Sequence, residues 1–95
     1  MSIQGFDCKV TEVFFKTGKA GKAGWANVSG GAKRKLDMVE AAHILQDLAS
    51  PPGNSLEALK DDLEGYHSIR INGQWRVVFK WTNAGPNEVR ICDYH

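Results

Sequence analysis

No apolar run in this 95-residue sequence exceeds three residues, as in Val13-Phe14-Phe15, whereas a helix crossing a bilayer needs about 20. A membrane-spanning segment is excluded. The opening residues Met1-Ser2-Ile3-Gln4-Gly5-Phe6-Asp7 lack the basic region and the run of about 7 to 15 apolar residues of a secretory signal, so the chain is expected in the cytoplasm. Cysteine is scarce: Cys8 and Cys92 are too few and too distant in sequence for a disulfide framework or a zinc site, and both read as reduced thiols. The three histidines, His43, His67 and His95, are scattered, with no His-Glu-x-x-His run or carboxylate cluster beside them. No metal and no cofactor is expected. The glycines at 18 to 24 and 30 to 31 fit neither a phosphate-binding loop nor a dinucleotide fingerprint, and no Gly-x-Ser-x-Gly nucleophile motif occurs.

What is present is an even mixture of 42% hydrophobic and 24% charged residues with a net charge of +1. That composition belongs to a folded globular chain rather than a disordered one. The length allows one domain over residues 1–95, and a core of that size leaves room for an open cleft but not a deep cavity. Charge is unevenly spread. Residues 1–35 carry Lys9, Lys16, Lys19, Lys22, Lys33, Arg34 and Lys35 against Asp7 and Glu12, a balance of +5. Residues 36–67 carry only Lys60 against seven carboxylates, and residues 68–95 return to +2 through Arg70, Arg76, Lys80 and Arg90. Such polarity steers a polyanion even near zero net charge, although solvated helix faces produce the same pattern.

Asp7 offers an N-cap, and Val10, Val13 and Phe14, with Cys8, recur at helical spacing before Gly18, which predicts a helix over about 8–17. Residues 18–28 read as an exposed loop. Leu36, Met38, Val39, Ala41, Ala42, Leu45 and Leu48 form the apolar stripe of a second helix from Gly30 or Gly31 to about Leu48, stopped by Ser50-Pro51-Pro52-Gly53. Lys33, Arg34 and Lys35 then sit at the wrong end for the helix dipole, which favours a partner-binding role for them. Beyond the break the texture becomes strand: a short one at Leu56–Leu59, an acidic turn, Tyr66–Ile71, then Trp75–Trp81 with Trp75, Val77, Phe79 and Trp81 on one face. Asn72-Gly73-Gln74 predicts a three-residue hairpin loop, and Ala84-Gly85-Pro86 closes a second hairpin into Glu88–Asp93. The expected fold is α+β, two N-terminal helices packed on one face of a twisted antiparallel sheet.

Register turns this outline into a site. Pairing Ile71 with Trp75 sets Arg70 beside Arg76, and pairing Trp81 with Val89 sets Arg76 beside Tyr94. One row, Arg70-Arg76-Tyr94, would then cross three strands on the face away from the core. Adjacent arginines repel, so folding alone does not ask for them. An anion site follows, with Tyr94 and His95 at its rim and Glu57 and Lys60 reaching the same cleft. The plainer reading has both arginines as exposed strand residues paired with acidic neighbours. The same register sets Asp93 beside Val77 on the apolar face, which predicts a bulge or fraying there. His67 alternates with the core face and reads as packed, and His43 as a surface or boundary residue of the long helix.

Taken in order, Leu56-Glu57-Ala58-Leu59-Lys60, Gly65-Tyr66-His67-Ser68-Ile69-Arg70, Gln74-Trp75-Arg76-Val77-Val78-Phe79 and the final Asp93-Tyr94-His95 closely resemble the RelE/ParE toxin superfamily and, within it, the HigB-like branch. The resemblance spans nearly the whole chain, including the Ser50-Pro51-Pro52-Gly53 break. It implies a RelE-like microbial ribonuclease fold and a type II toxin that cuts messenger RNA at the ribosomal A site without metal. The RNA 2′-hydroxyl attacks, leaving a 2′,3′-cyclic phosphate and a 5′-hydroxyl. Carried over residue by residue, Arg76 and Lys60 would stabilise the transition state, Tyr94 and His95 match the terminal pair with His95 as general acid, and Glu57 would be the base, as in the YoeB-like branch. HigB-like proteins often have histidine at the place of Glu57 and arginine near Asn72, so potency or codon preference is expected to differ, with Arg70 able to substitute. The implied partners are a HigA-like helix-turn-helix antitoxin, the 70S ribosome with its message, and operator DNA indirectly through the antitoxin. Lys19, Lys22, Lys33, Arg34 and Lys35, together with Arg70, would contact RNA phosphates.

Two other functions compete. A ParE-like toxin would keep the fold but bind and poison gyrase, which the set of Lys60, Arg76 and the Asp-Tyr-His end disfavours. A non-enzymatic nucleic-acid-binding cofactor would rely on the basic N-terminal third instead.

Overall fold

A computed structural model describes residues 2–93, so Met1 and the terminal pair Tyr94 and His95 lie outside the described residues. Two helices, α1 (Lys9–Thr17) and α2 (Ser29–Ala41), precede four strands, β1 (Glu57–Ala58), β2 (Tyr66–Arg70), β3 (Trp75–Thr82) and β4 (Gly85–Asp93). The strands form one antiparallel sheet in the order β1-β2-β3-β4. Phe14, Ala32, Leu36 and Val39 of the helices meet Ile69, Val77, Phe79, Val89 and Ile91 of the sheet in one buried cluster. Each side chain of this size contributes about 1.5 to 3 kcal/mol by leaving water. The α+β class read from the sequence is the one observed. Among the described residues no helix is long and apolar enough to cross a membrane.

Helix α1 begins two residues after its expected cap, because Asp7 is engaged elsewhere. The N-terminal segment runs parallel to β4, bridging Phe6 to Val89, and the Asp7 backbone N–H donates to the Val89 carbonyl at 3.0 Å. Cys8 occupies the cap position without a side-chain hydrogen bond. At Gly5 this alignment is so close that a Cβ would stand 2.6 Å from Asn87 Oδ1. The helix then turns Thr11 and Phe14 inward, and the Thr11 hydroxyl accepts the Ile91 N–H at 3.1 Å. This corrects the expected stripe: Val10 is 46% exposed and Val13 38%. Gly18, at φ 80, ends the helix by donating to the Phe14 carbonyl at 2.7 Å.

Helix α2 buries Ala32, Leu36 and Val39 at helical spacing but stops at Ala41, seven residues before the predicted end. Ala42 is extended, and the Asp47 carboxylate accepts the His43 and Ile44 N–H groups at 2.9 and 3.2 Å, starting a separate 3-10 turn over Leu45–Ala49. The aspartate competes successfully with helix continuation, and His43 is an exposed residue past the helix rather than on it. A cis peptide joins Ser50 to Pro51. Fully buried Asn54 fastens this corner: its amide donates to the Leu48 and Ser50 carbonyls at 3.1 and 3.3 Å, and its Oδ1 accepts the Lys35 ammonium.

The first hairpin follows the sequence reading. Ile71 donates to the Trp75 carbonyl at 2.9 Å, and Asn72 Oδ1 accepts the Gln74 and Trp75 N–H groups, so Arg70 does lie opposite Arg76. The second hairpin does not follow it. Thr82 already pairs with Gly85 and Trp81 with Pro86, because the turn is the two residues Asn83 and Ala84. A bulge between Val78 and Lys80 then accommodates Glu88 at φ 51. Val77 faces Ile91, Arg76 faces Cys92 and Trp75 faces Asp93. Asp93 therefore avoids Val77 and accepts from Gln74 Nε2 at 3.0 Å.

Asn54→Ala is expected to cost about 1 to 3 kcal/mol, since it leaves buried carbonyls and the Lys35 ammonium without their partner. A urea midpoint shift at unchanged slope would measure it, and a shift near zero would show that the corner does not depend on this amide.

Candidate functional site

With the helices on one side of the sheet, the alternating residues of the strands build the other. Ser68 and Arg70 of β2, Arg76, Val78 and Lys80 of β3, and Arg90 and Cys92 of β4 share that face. It gathers all four cations of residues 68–95. The 3-10 turn over Asp61–Leu63 stands beside it, and a cleft of about 330 Å³ is lined by Leu59, Leu63, Ser68, Val78, Arg90, Cys92 and Asp93. A second hollow of about 500 Å³, lined by Glu57, Ala58, Lys60 and Asp61, shares Leu59 and Leu63 with the first. Glu57 pairs across the strands with Ser68, which ties the two hollows together.

Arg76 is the most enclosed of the cations, 6% exposed. Its Nε donates to Ser68 Oγ at 2.7 Å, and its Nη2 donates to the carbonyls of Ser55 and Ser68. A buried guanidinium survives only when such partners replace its water. The bonds also hold it in one orientation, between Ser68 and its cross-strand neighbour Cys92, two residues of the cleft wall. Burial pushes the Cys92 thiol up; Asp93 adds to this, and Arg90 and Arg76 oppose it. Arg70 is exposed beside the hairpin. At the other end of the row, Tyr66 donates to Glu88 Oε1 at 2.7 Å, which raises the phenol above its ordinary value, and the Lys80 ammonium lies 6.0 Å from the Tyr66 ring centre.

The sequence reading thus placed Glu57, Lys60, Arg70 and Arg76 about one region, and the structure brings them to the two adjoining hollows and the cationic face. The predicted row Arg70-Arg76-Tyr94 is corrected to Arg70-Arg76-Cys92 by the tighter second turn together with the bulge between Val78 and Lys80; Tyr94 and His95 lie outside the described residues. Arg90, Ser68 and Ser55 were missed. Arg90 was within reach of the sequence, since the inward Val89 and Ile91 require it to point outward whatever the exact pairing. The N-terminal cations are not drawn together here. Lys19 and Lys22 flank α1 on the helical side, Lys33 pairs with Asp37 and lies 5.4 Å from the Phe15 ring centre, Lys35 is bonded to Asn54, and Arg34 is exposed. Burial, with Arg34 adding to it, lowers the Lys35 ammonium below its ordinary value.

His67 lies on the opposite, core side, stacked on Phe79 with ring centres 6.4 Å apart, and its buried Nδ1 has no hydrogen-bond partner among the described residues. Burial lowers its pKa. The unfolded chain then binds this proton more readily, so the contribution is full above the ordinary value of about 6.5 and is lost as pH falls through it. His67→Phe is expected to flatten the dependence of the urea midpoint on pH between about 7 and 5; an unchanged slope would refute the assignment.

Comparison with known proteins bears on the whole chain. Residues 4–95 match a family described as RelE-like toxin of type II toxin-antitoxin system HigB. Over 79 residues, 83% of this chain and 83% of the relative, the sequence is 36% identical to Toxin HigB-1 of Vibrio cholerae. It is 40% identical over 40 residues, 42% of this chain and 44% of the relative, to Endoribonuclease HigB of Proteus vulgaris. An uncharacterized protein of Haemophilus influenzae is 41% identical over 58 residues, 61% of this chain and 57% of that one.

Proposed function

Because the chain belongs to the RelE-like HigB toxins of type II toxin-antitoxin systems, we propose that it is a ribosome-dependent endoribonuclease that cuts messenger RNA in the cytoplasm. The observation that carries this reading is the buried, oriented Arg76 at the edge of a cleft on a cationic face. A relative of this chain is named an endoribonuclease, which supports the same reading.

The chemistry requires no group beyond the chain and its RNA. Glu57 takes the proton of a 2′-hydroxyl as that oxygen attacks the adjacent phosphorus. Negative charge then grows on the non-bridging oxygens, where Arg76 and Lys60 stabilise it, Arg76 with little reorganisation because Ser68 and Ser55 already fix its plane. The P–O5′ bond breaks, and the leaving oxygen receives a proton from His95, whose ordinary pKa near 6.5 suits an acid at neutral pH. Tyr94 assists at the same end. The products are a 2′,3′-cyclic phosphate and a 5′-hydroxyl. Arg70, and Arg90 and Lys80 on the same face, would hold flanking phosphates. A HigA-like helix-turn-helix antitoxin completes the system and links the toxin to operator DNA.

Primer extension on a defined message, with and without programmed 70S ribosomes, tests this. Wild type is expected to cut within A-site codons only when ribosomes are present, and Arg76→Ala to cut at least about 100-fold more slowly. Because Arg76 is buried, a thermal melt of the variant accompanies the assay. Removal of Tyr94 and His95 is expected to abolish cleavage with the melt unchanged. A message left intact by wild type under both conditions would overturn the assignment and direct attention to gyrase.

A further inference from the structure

Ser55 stands at φ 47 and ψ 54, in the left-handed region that a residue carrying a Cβ enters only at a cost. Its side chain is exposed, and it is its carbonyl that the site uses, as an acceptor for Arg76 Nη2. Arg76 Nε meanwhile donates to Ser68 Oγ at 2.7 Å, so one guanidinium joins the segment leading into β1 to β2. Glu57 lies two residues beyond Ser55 and opposite Ser68. The backbone at Ser55 therefore sets where Glu57 and Arg76 stand relative to each other. That backbone is held from behind. The Asn54 N–H donates to the Pro51 carbonyl at 2.9 Å and the Ser55 N–H to the Pro52 carbonyl at 3.0 Å. The fully buried Asn54 amide is bonded to the Leu48 and Ser50 carbonyls, and its Oδ1 accepts the ammonium of Lys35, on α2.

We propose that Lys35, Asn54 and Ser55 are positioning residues of the cleavage site, a chain of contacts from α2 to Arg76; the proposal rests on the ribonuclease reading. The Lys35 ammonium fixes the buried amide, the amide fixes the left-handed turn, and the turn's carbonyl fixes Arg76 and the entry of the strand that bears Glu57. None of the three acts on the reacting atoms. Strained backbone persists where its surroundings over-determine it, and it clusters at sites that need pre-organised geometry. In-line attack is such a case, because a misplacement of about 1 Å can cost about 100-fold in rate. Lys35 thereby leaves the set of cations expected to contact RNA. A lysine serving a phosphate keeps its ammonium in solvent, whereas this one is half-buried and bonded to a side chain with no exposure at all. Its neighbours differ: Lys33 pairs with Asp37 near solvent, and Arg34 is exposed.

The test is kcat and KM of the whole chain on 70S ribosomes programmed with a defined message, at two salt concentrations and well below each variant's melting temperature. Ser55→Gly admits the same φ without strain but no longer confines the backbone to it. It is expected to lower kcat about 10-fold at unchanged KM, with the melt unchanged or raised. Ser55→Asn, whose side chain tolerates the left-handed region, is expected to regain most of that rate. Lys35→Met keeps the apolar stem and removes the ammonium, and is expected to lower kcat about 5-fold while KM and its salt dependence stay as in wild type. A purely structural corner would instead leave Ser55→Gly fully active. Wild-type kcat in either Ser55→Gly or Lys35→Met would overturn the proposal and leave the ribonuclease reading standing. A raised KM with kcat kept and a weaker salt dependence in Lys35→Met would return that lysine to RNA binding and also overturn it. Failure of wild type to cut at all would remove both readings.

Discussion

Strand β4 is hydrogen-bonded along both edges, and much of the molecule is arranged by that fact. On its inner side it pairs with β3 from Trp75 to Thr82. On its outer side Pro86 accepts from Gln4, Val89 donates to Gly5 and accepts from Asp7, and Ile91 donates to the Thr11 hydroxyl. Buried backbone groups must find partners, so the N-terminal segment is held as a near-strand and α1 starts where that pairing ends. The rotation of α1 is fixed with it. Thr11 and Phe14 turn in, and Val10 and Val13 are left to solvent. A threonine thus takes an inward position that apolar periodicity would give to valine.

The two faces of the sheet answer to different demands. One is filled by Ile69, Val77, Phe79, Val89 and Ile91 against the helices and supplies stability. The other sets Arg70 directly opposite Arg76 and adds Lys80 and Arg90. Like charges across a strand pair are unfavourable, and nothing in the core requires them. The serine contacts that hold Arg76 keep its orientation while its neighbours remain cationic. Local pairing rules are broken here, as they are at functional or strained sites.

Most of this could be read from residues alone. Alternation gave the correct face to every core position of β2 and β3, and the Asn72-Gly73-Gln74 loop gave the first register. The second register was three residues out at the turn, because Asn83-Ala84 was not recognised as the turn, and two out beyond the bulge between Val78 and Lys80, which restores one residue. A slip of two preserves which side each residue faces, so the cationic face survived the error while the identity of Arg76's neighbour changed from Tyr94 to Cys92. The end of α2 was missed for a similar reason. Leu45 and Leu48 continue the apolar stripe and do pack on the core, but Asp47 redirects the backbone between them and Ala41. Periodicity records which residues are buried, and it records less well which backbone path carries them inward. The family itself was legible in the ordered motifs from Leu56 to His95.

The margins of the sheet carry a final consequence. β4's outer edge is occupied, and the opposite edge is the two-residue β1, with Lys60 two residues beyond it. Exposed strand edges are templates on which another sheet grows, and short or charged edges blunt them. Here the flat apolar surface is under the helices and both margins are closed or brief, so copies of the chain have little backbone to offer one another. A protein whose partner is lost can then stay dispersed at the concentrations its activity needs, instead of being drawn off into fibrous aggregates.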